Sequence, residues 1–123
     1  MENVLGARIV LFVLLLGAGI LLIWLARSAA SGRLKRNPLA GIRLPSTMAT
    51  DEAWLAAHVR AKRPTVWAGC TFLATAAFVL LPVSDPVLSV GVLLGCLIVL
   101  VMVIHAARVG VRAAIDTSRD PDS

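Results

Sequence analysis

Asp51 and His58 are the titratable pair whose spacing comes closest to that of an acid–base site, and Trp54 lies between them. The three residues stand at i, i+3 and i+7, so they share one face of a helix. Two helical turns place Asp51 about 10 Å from His58, too far to share one proton, although both could contact a third group or a partner. No glycine-rich phosphate loop, metal-ligand pair or nucleophile–base set accompanies them. We therefore expect a site for a ligand or partner, with no enzyme activity, no metal and no cofactor.

His105 and the two cysteines have simpler explanations. His105 lies near the end of an apolar run and is followed by Arg108, so we expect an interfacial anchor rather than a proton relay. Cys70 and Cys96 lack the neighbouring His or Cys spacing of a metal site. We expect both to be small, buried core residues with no disulfide between them.

Three apolar runs determine how these residues are positioned. They cover residues 9–26, 66–83 and 87–107, and none contains Lys, Arg, Asp or Glu. Each is long enough to cross a hydrocarbon core of about 30 Å as a helix. The first run is longer than the usual apolar region of a signal peptide and is followed by basic residues, which favours a retained span over a cleaved leader. The chain, 59% hydrophobic, is therefore predicted to be a single membrane domain, 1–123, with a polar tail at 115–123.

The basic residues predict the orientation of the spans. Arg8 lies before the first span, and the other eleven lie in the first loop or after the third span: Arg27, Arg33, Lys35, Arg36, Arg43, Arg60, Lys62, Arg63, Arg108, Arg112 and Arg119. Short loops rich in Lys and Arg stay cytoplasmic, which predicts an all-α membrane protein with its N-terminus outside and its C-terminus inside. The formal charge of +5 is thus explained by topology and contact with anionic lipids, and direct nucleic-acid binding is not expected.

The motif loop, 32–65, is predicted to contain a short amphipathic cytoplasmic helix. Thr50 or Ser46 would cap it, Asp51 and Glu52 would stabilise its N-terminus, and Pro64 would end it. Its apolar face suits the membrane surface or the cytoplasmic ends of the spans. Before this helix, Gly41 permits a backbone geometry that other residues resist. Arg43 could pair with Asp51, Glu52 or a lipid phosphate.

Gly91 and Gly95 form a small-xxx-small pair in the third span. Such pairs let helix backbones approach closely in lipid. Packing against another span of the same chain, a homo-oligomer face and no role at all are the alternatives. The second and third spans are predicted to form a tight hairpin around Asp85 and Pro86.

The motif loop carries the strongest signal of identity. Residues 32–58 read GRLKRNPLAGIRLPSTMATDEAWLAAH: an Asn, then Gly-Ile-Arg, a Pro, a Ser/Thr-rich stretch, an acidic pair, and Trp and His one turn apart. This segment resembles the SdpI family of bacterial membrane proteins, over about residues 32–69. Longer members carry additional spans before the motif, whereas this chain has one. Leu44, Pro45 and Ser46 stand where many relatives have Thr-Pro-Trp.

The resemblance implies a multi-pass protein of the inner or plasma membrane that protects the cell from a membrane-active peptide toxin. Capture of a cytoplasmic repressor by the loop is a second implied role. The matching positions are Asn37, Gly41, Arg43, Trp54 and His58, to which the shared helix face adds Asp51. The loop is interpreted either as a working site or as a brace for the spans. An accessory subunit of a larger membrane complex is the alternative function, and the uncharged spans disfavour a small transporter.

Overall fold

The computed structural model of the chain describes residues 2–37 and 41–119. The described residues form four helices and no strand: α1 (Glu2–Ala30), α2 (Pro45–Met48), α3 (Asp51–Val79) and α4 (Asp85–Arg119). The predicted all-helical fold class is confirmed. Residues 38–40 of the predicted motif loop and 120–123 of the predicted polar tail lie outside the described residues.

Helix α3 joins two elements that the sequence predicted to be separate. Thr50 caps it as expected, because its hydroxyl accepts a hydrogen bond from the Ala53 N–H at 2.9 Å. The prediction that Pro64 ends the helix is wrong, since α3 continues through Pro64 to Val79. An interior proline removes one backbone hydrogen bond and costs about 3 kcal/mol. Packing of α3 on both of its neighbours offsets that cost, so the amphipathic helix and residues 66–79 of the second apolar run form one continuous helix, whereas residues 80–83 lie in the following turn.

Helix α3 is the central helix of the fold, with α1 packed on one side and α4 on the other. The closest approach to α1 is at Gly19 and Gly69. A Cβ built on Gly19 would lie 2.8 Å from the Gly69 carbonyl oxygen, and one on Gly69 would lie 2.9 Å from the Gly19 carbonyl oxygen. Only hydrogen side chains fit between these two backbones, so this crossing fixes α1 against α3.

The Gly19–Gly69 crossing allows a matched prediction. Gly19→Ala will destabilise the protein by about 1–3 kcal/mol, because its methyl group meets a backbone atom that cannot move aside. Gly17→Ala is the control, since a Cβ at Gly17 has no atom within 4 Å. Thermal unfolding in detergent should show a lower midpoint for Gly19→Ala alone. Equal midpoints for both variants would contradict the close crossing.

The Gly91–Gly95 pair of α4 faces α3 within the same chain. A Cβ on Gly91 would meet the ring of Phe78, and one on Gly95 would meet the side chain of Thr75. Close to this contact, the apolar core cluster contains Leu15, Ala76, Val79 and Leu88. Both glycines therefore accommodate α3 side chains in the described fold.

Arg8 ties the start of α1 to the turn between α3 and α4. Its guanidinium donates to the carbonyl oxygens of Leu81 at 3.1 Å and Val83 at 2.7 Å, and pairs with the Asp85 carboxylate at 3.2 Å. The turn needs such donors because its carbonyls follow the end of a helix. The single basic residue of the predicted outer side thus has a structural contact at that end of the fold.

The outer faces of α1 and α4 are apolar and exposed. Val4–Ala30 and Asp85–Thr117 are each long and apolar enough to cross a membrane. Only 17% of the most apolar stretch of each is buried, which is unlike the core helix of a water-soluble protein. Helix α3 does not meet the same criterion. Its apolar part covers only residues 66–79, which is shorter than a membrane-crossing helix. The three-span topology and its orientation remain predictions.

Cys70 and Cys96 are exposed free thiols, so the prediction that both are buried is wrong. They lie on outward surfaces of α3 and α4, where a small apolar residue needs no partner within the chain. His105 is also exposed.

Candidate functional site

The His58 side chain holds residues 41–42 of the motif loop against the N-terminal half of α3. The Ile42 N–H donates to His58 Nε2 at 2.9 Å, and His58 Nδ1 lies 2.7 Å from the Trp54 carbonyl oxygen. Because Nε2 must accept from Ile42, the imidazole is neutral and its proton is on Nδ1, which donates to Trp54. The ring is 5% exposed. His58 therefore acts as a fixed acceptor that holds residues 41–42 against the helix.

Burial lowers the pKa of His58 from its usual value of 6.5, and the hydrogen bond to the Trp54 carbonyl opposes this effect only in part. A folded-state pKa below the unfolded-state value means that the unfolded chain binds more protons. The contribution of His58 to stability is thus complete above about pH 6.5 and decreases as the pH falls through its lowered folded-state pKa. Protonation would also remove the acceptor for the Ile42 N–H.

This titration predicts acid sensitivity of the fold. Thermal unfolding midpoints in detergent should decrease between about pH 7.5 and about pH 5.5 in the wild type. His58→Gln, which has no titrating side chain, should show a smaller decrease. His105→Gln is the control substitution, because His105 is exposed and forms no hydrogen bond among the described residues. An unchanged slope in His58→Gln would show that other groups cause the acid sensitivity.

Trp54 connects the same helix face to the start of the loop. Its indole N–H donates to the Leu34 carbonyl oxygen at 2.9 Å, and its ring is 2% exposed. The ring centroids of Trp54 and His58 lie 4.1 Å apart, at an interplanar angle of 36°. A buried indole N–H needs a partner, and Leu34 supplies it. Trp54 and His58, the two residues predicted from spacing, thus hold Leu34 and Ile42 of the motif loop against α3.

Gly41 fits where no other residue would. Its φ of +95° lies in the region that glycine alone adopts without strain. A Cβ there would lie 2.6 Å from Trp54 Cη2 and 2.7 Å from His58 Nε2. Gly41, Trp54 and His58 therefore form one unit, which we call the Gly–Trp–His unit.

Thr47 is a buried member of this region that sequence reasoning missed. Its hydroxyl donates to the Ile42 carbonyl oxygen at 2.6 Å and accepts from the Leu44 N–H at 3.0 Å. A threonine two residues after Pro45, at the third position of α2, can bind the backbone that precedes the helix, which is the signal that could have identified it. Thr47 thus binds the carbonyl of Ile42, and His58 binds its N–H.

Arg43 and Asn37 meet at the exposed edge of the unit. Arg43 Nε donates to the Asn37 backbone carbonyl at 3.1 Å, and the Asn37 side-chain amide donates to the Lys35 carbonyl at 2.7 Å. Among the described residues Arg43 forms no ion pair, so of the three possible partners for Arg43 neither Asp51 nor Glu52 is used in this fold. Arg43 is exposed, and its two terminal nitrogens form no hydrogen bond among the described residues.

Asp51 is separate from the buried aromatic face. Its carboxylate pairs with Arg36 Nε at 3.0 Å, and its side chain is 76% exposed. Such an exposed pair contributes about 0–1 kcal/mol. Arg36 also donates to the Met48 carbonyl at 2.8 Å, which places Asp51 in the outer layer of the loop. Asp51 and His58 therefore share no contact within the described residues.

A cavity of about 370 Å³ lies beneath the Gly–Trp–His unit, between α1, α3 and α4. Its polar side chains are His58, Lys62 and Thr65, and the rest of its wall is apolar: Leu22, Leu25, Ala26, Gly41, Ile42, Leu44, Ala61, Val103, Ala106 and Ala107. Such a wall suits an apolar group far better than a metal or phosphate. Within the described ranges, no group of His, Cys, Asp and Glu is arranged to hold a metal ion.

Two apolar helices of membrane-crossing length, with a folded polar motif between them, are typical of a small helical membrane protein. The family model described as the SdpI/YfhL protein family matches residues 33–106. That match covers more than half of the chain, including residues 33–65 of the motif loop, all of α3 and most of α4, so the chain belongs to this family and the resemblance is confirmed. No curated protein and no solved structure matches it.

Proposed function

We propose that this chain is a multi-pass cell-membrane protein that protects a bacterial cell from a membrane-active peptide toxin. Family membership carries the proposal. In this arrangement the three spans are α1, the part of α3 that begins at residue 66, and α4, with the N-terminus outside and the C-terminus and motif loop in the cytoplasm. The distribution of Lys and Arg supports that orientation. No catalysis, cofactor or nucleic acid is needed for this role.

The spans would contact the toxin while the motif reports to the cytoplasm. Arg43 supports the second part, because the rigid Gly–Trp–His unit presents an exposed guanidinium with free donors beside Asn37. A cytoplasmic repressor with an acidic surface is the partner that such a site would capture.

The direct test is deletion of the gene followed by challenge with a panel of membrane-active peptides. Deleted cells should lose membrane potential and viability with at least one peptide, and a plasmid copy should restore both. Unchanged survival and membrane potential across a broad panel would contradict the immunity role.

Arg43→Gln separates a working motif from a structural brace. Since Arg43 is exposed and makes one side-chain contact to a backbone carbonyl, we expect protection to fall at least about tenfold while the amount of membrane-bound protein stays the same. Arg60→Gln removes an exposed charge outside the Gly–Trp–His unit and is the control. A decrease in protein amount with Arg43→Gln would favour the bracing role.

A second candidate is a non-catalytic accessory subunit of a larger membrane complex. The exposed apolar faces of α1 and α4 favour it, because another membrane protein or a second copy of this chain could cover them as well as lipid. Purification in a mild detergent distinguishes the two: a stoichiometric large partner supports the subunit role, and a lone monomer or dimer opposes it.

A further inference from the structure

An open groove of about 740 Å³ follows the C-terminal half of α4, with Leu44 of the motif loop contributing one wall. Its floor is apolar, formed by Ile104, Ala107, Val111 and Ile115, and its charged side chains are Arg108, Arg112 and Asp116. It lies outside the cavity beneath His58, although Leu44 and Ala107 border both. An apolar floor with cations above it has the chemistry of an amphiphile site.

The two arginines of the groove are available to a ligand. Arg108 and Arg112 are one helical turn apart and exposed, and among the described residues neither forms a hydrogen bond or an ion pair. Asp116 lies one turn further along and pairs with neither. The groove is therefore positive at Arg108 and Arg112 and negative beyond them, which suits a headgroup with a single phosphate.

The packing places these arginines at the depth of a headgroup. Gly19 contacts Gly69, and eight residues along each helix lead from this crossing to Arg27 on α1 and to Ala61 on α3. Ala61 in turn contacts Gly110, two residues from Arg108. Arg27 and Arg108 are thus at nearly the same level.

Trp24 lies one turn closer to the middle of α1 than Arg27 and is 52% exposed. An exposed tryptophan just inside a level of cations is the arrangement found where a span meets the membrane–water interface.

We propose that the groove binds one anionic phospholipid of the cytoplasmic leaflet. The phosphate lies between Arg108 and Arg112, whose guanidinium groups match its oxygens. One acyl chain follows Ile104 and Ala107 toward the membrane centre, and Leu44 closes its side. This site rests on the membrane placement given under Proposed function. It also brings a lipid against the motif loop, since Leu44 is two residues from Ile42.

The test uses the full chain in nanodiscs of phosphatidylcholine with a minor fraction of phosphatidylglycerol, followed by native mass spectrometry of the released protein. The wild type should retain one phosphatidylglycerol. Each arginine near an anionic lipid is worth about fivefold in affinity, so R108Q/R112Q should bind about twenty-five-fold more weakly. R60Q/R63Q removes the same charge from the exposed surface of α3 and should retain lipid as the wild type does.

The possible failures are distinguishable. A chain that does not enter phosphatidylcholine nanodiscs contradicts the membrane placement and the proposed function with it. A chain that enters them but retains phosphatidylglycerol equally in the wild type and R108Q/R112Q overturns the lipid site alone. Equal loss in R60Q/R63Q would show general attraction to charge, and displacement by millimolar inorganic phosphate would show a phosphate site; either result overturns the proposal.

Discussion

Gly41→Ala will destabilise the folded chain by about 2–4 kcal/mol, because two penalties act on one methyl group. The first is the positive φ of +95°, which an L side chain adopts at a cost. The second is steric, since the new Cβ would lie 2.6 Å from Trp54 and 2.7 Å from His58. Thermal unfolding in detergent, followed by tryptophan fluorescence, measures the loss. Quenching of Trp54 should increase as the loop detaches.

Gly32→Ala is the matched control for Gly41→Ala. Gly32 also has a positive φ, +86°, but a Cβ there has no atom within 4 Å. Gly32→Ala should therefore lower the free energy of unfolding only by the cost of the positive φ, about 1–2 kcal/mol. The difference between the two variants isolates the steric contribution of the Gly–Trp–His unit. If both variants unfold at the same temperature, the close packing around Gly41 is wrong.

His58→Phe will lower the free energy of unfolding by about 1–3 kcal/mol, because it leaves the Ile42 N–H without its acceptor. The substitution keeps an aromatic ring beside Trp54, so the loss reports on the hydrogen bond. His58→Gln supplies an oxygen at nearly the place of Nε2 and should recover at least half of that loss. Urea unfolding of both variants at neutral pH measures the difference. A phenylalanine variant as stable as the glutamine variant would show that the hydrogen bond to Ile42 does not hold the loop.

The sequence was sufficient for those features that depend on spacing along one helix. Thr50 before an acidic pair predicted the start of α3, and the i, i+4 spacing of Trp54 and His58 predicted their shared face. Gly41 was recognised as a position with a special backbone conformation, which its positive φ confirms. Each of these follows from local geometry that a short stretch of chain determines by itself.

The remaining features depend on contacts between distant residues. Pro64 was predicted to end a helix because its local penalty is known, whereas the packing of α3 on two neighbours became visible only in the fold. Asp51 pairs with Arg36 rather than Arg43, because the loop folds back on itself before α2 begins. The exposure of Cys70 and Cys96 likewise depends on how each helix is rotated about its axis.

The unbroken course of α3 has a mechanical consequence. At 1.5 Å per residue its 29 residues form a helix about 43 Å long. The turn that Arg8 binds lies near one end of this helix, and Trp54 lies near the other. Because the helix is continuous, the turn at one end and Trp54 at the other belong to the same secondary-structure element, so their positions are coupled through its backbone. Pro64, which lacks a backbone N–H and therefore one helical hydrogen bond, is the point at which this helix bends most easily.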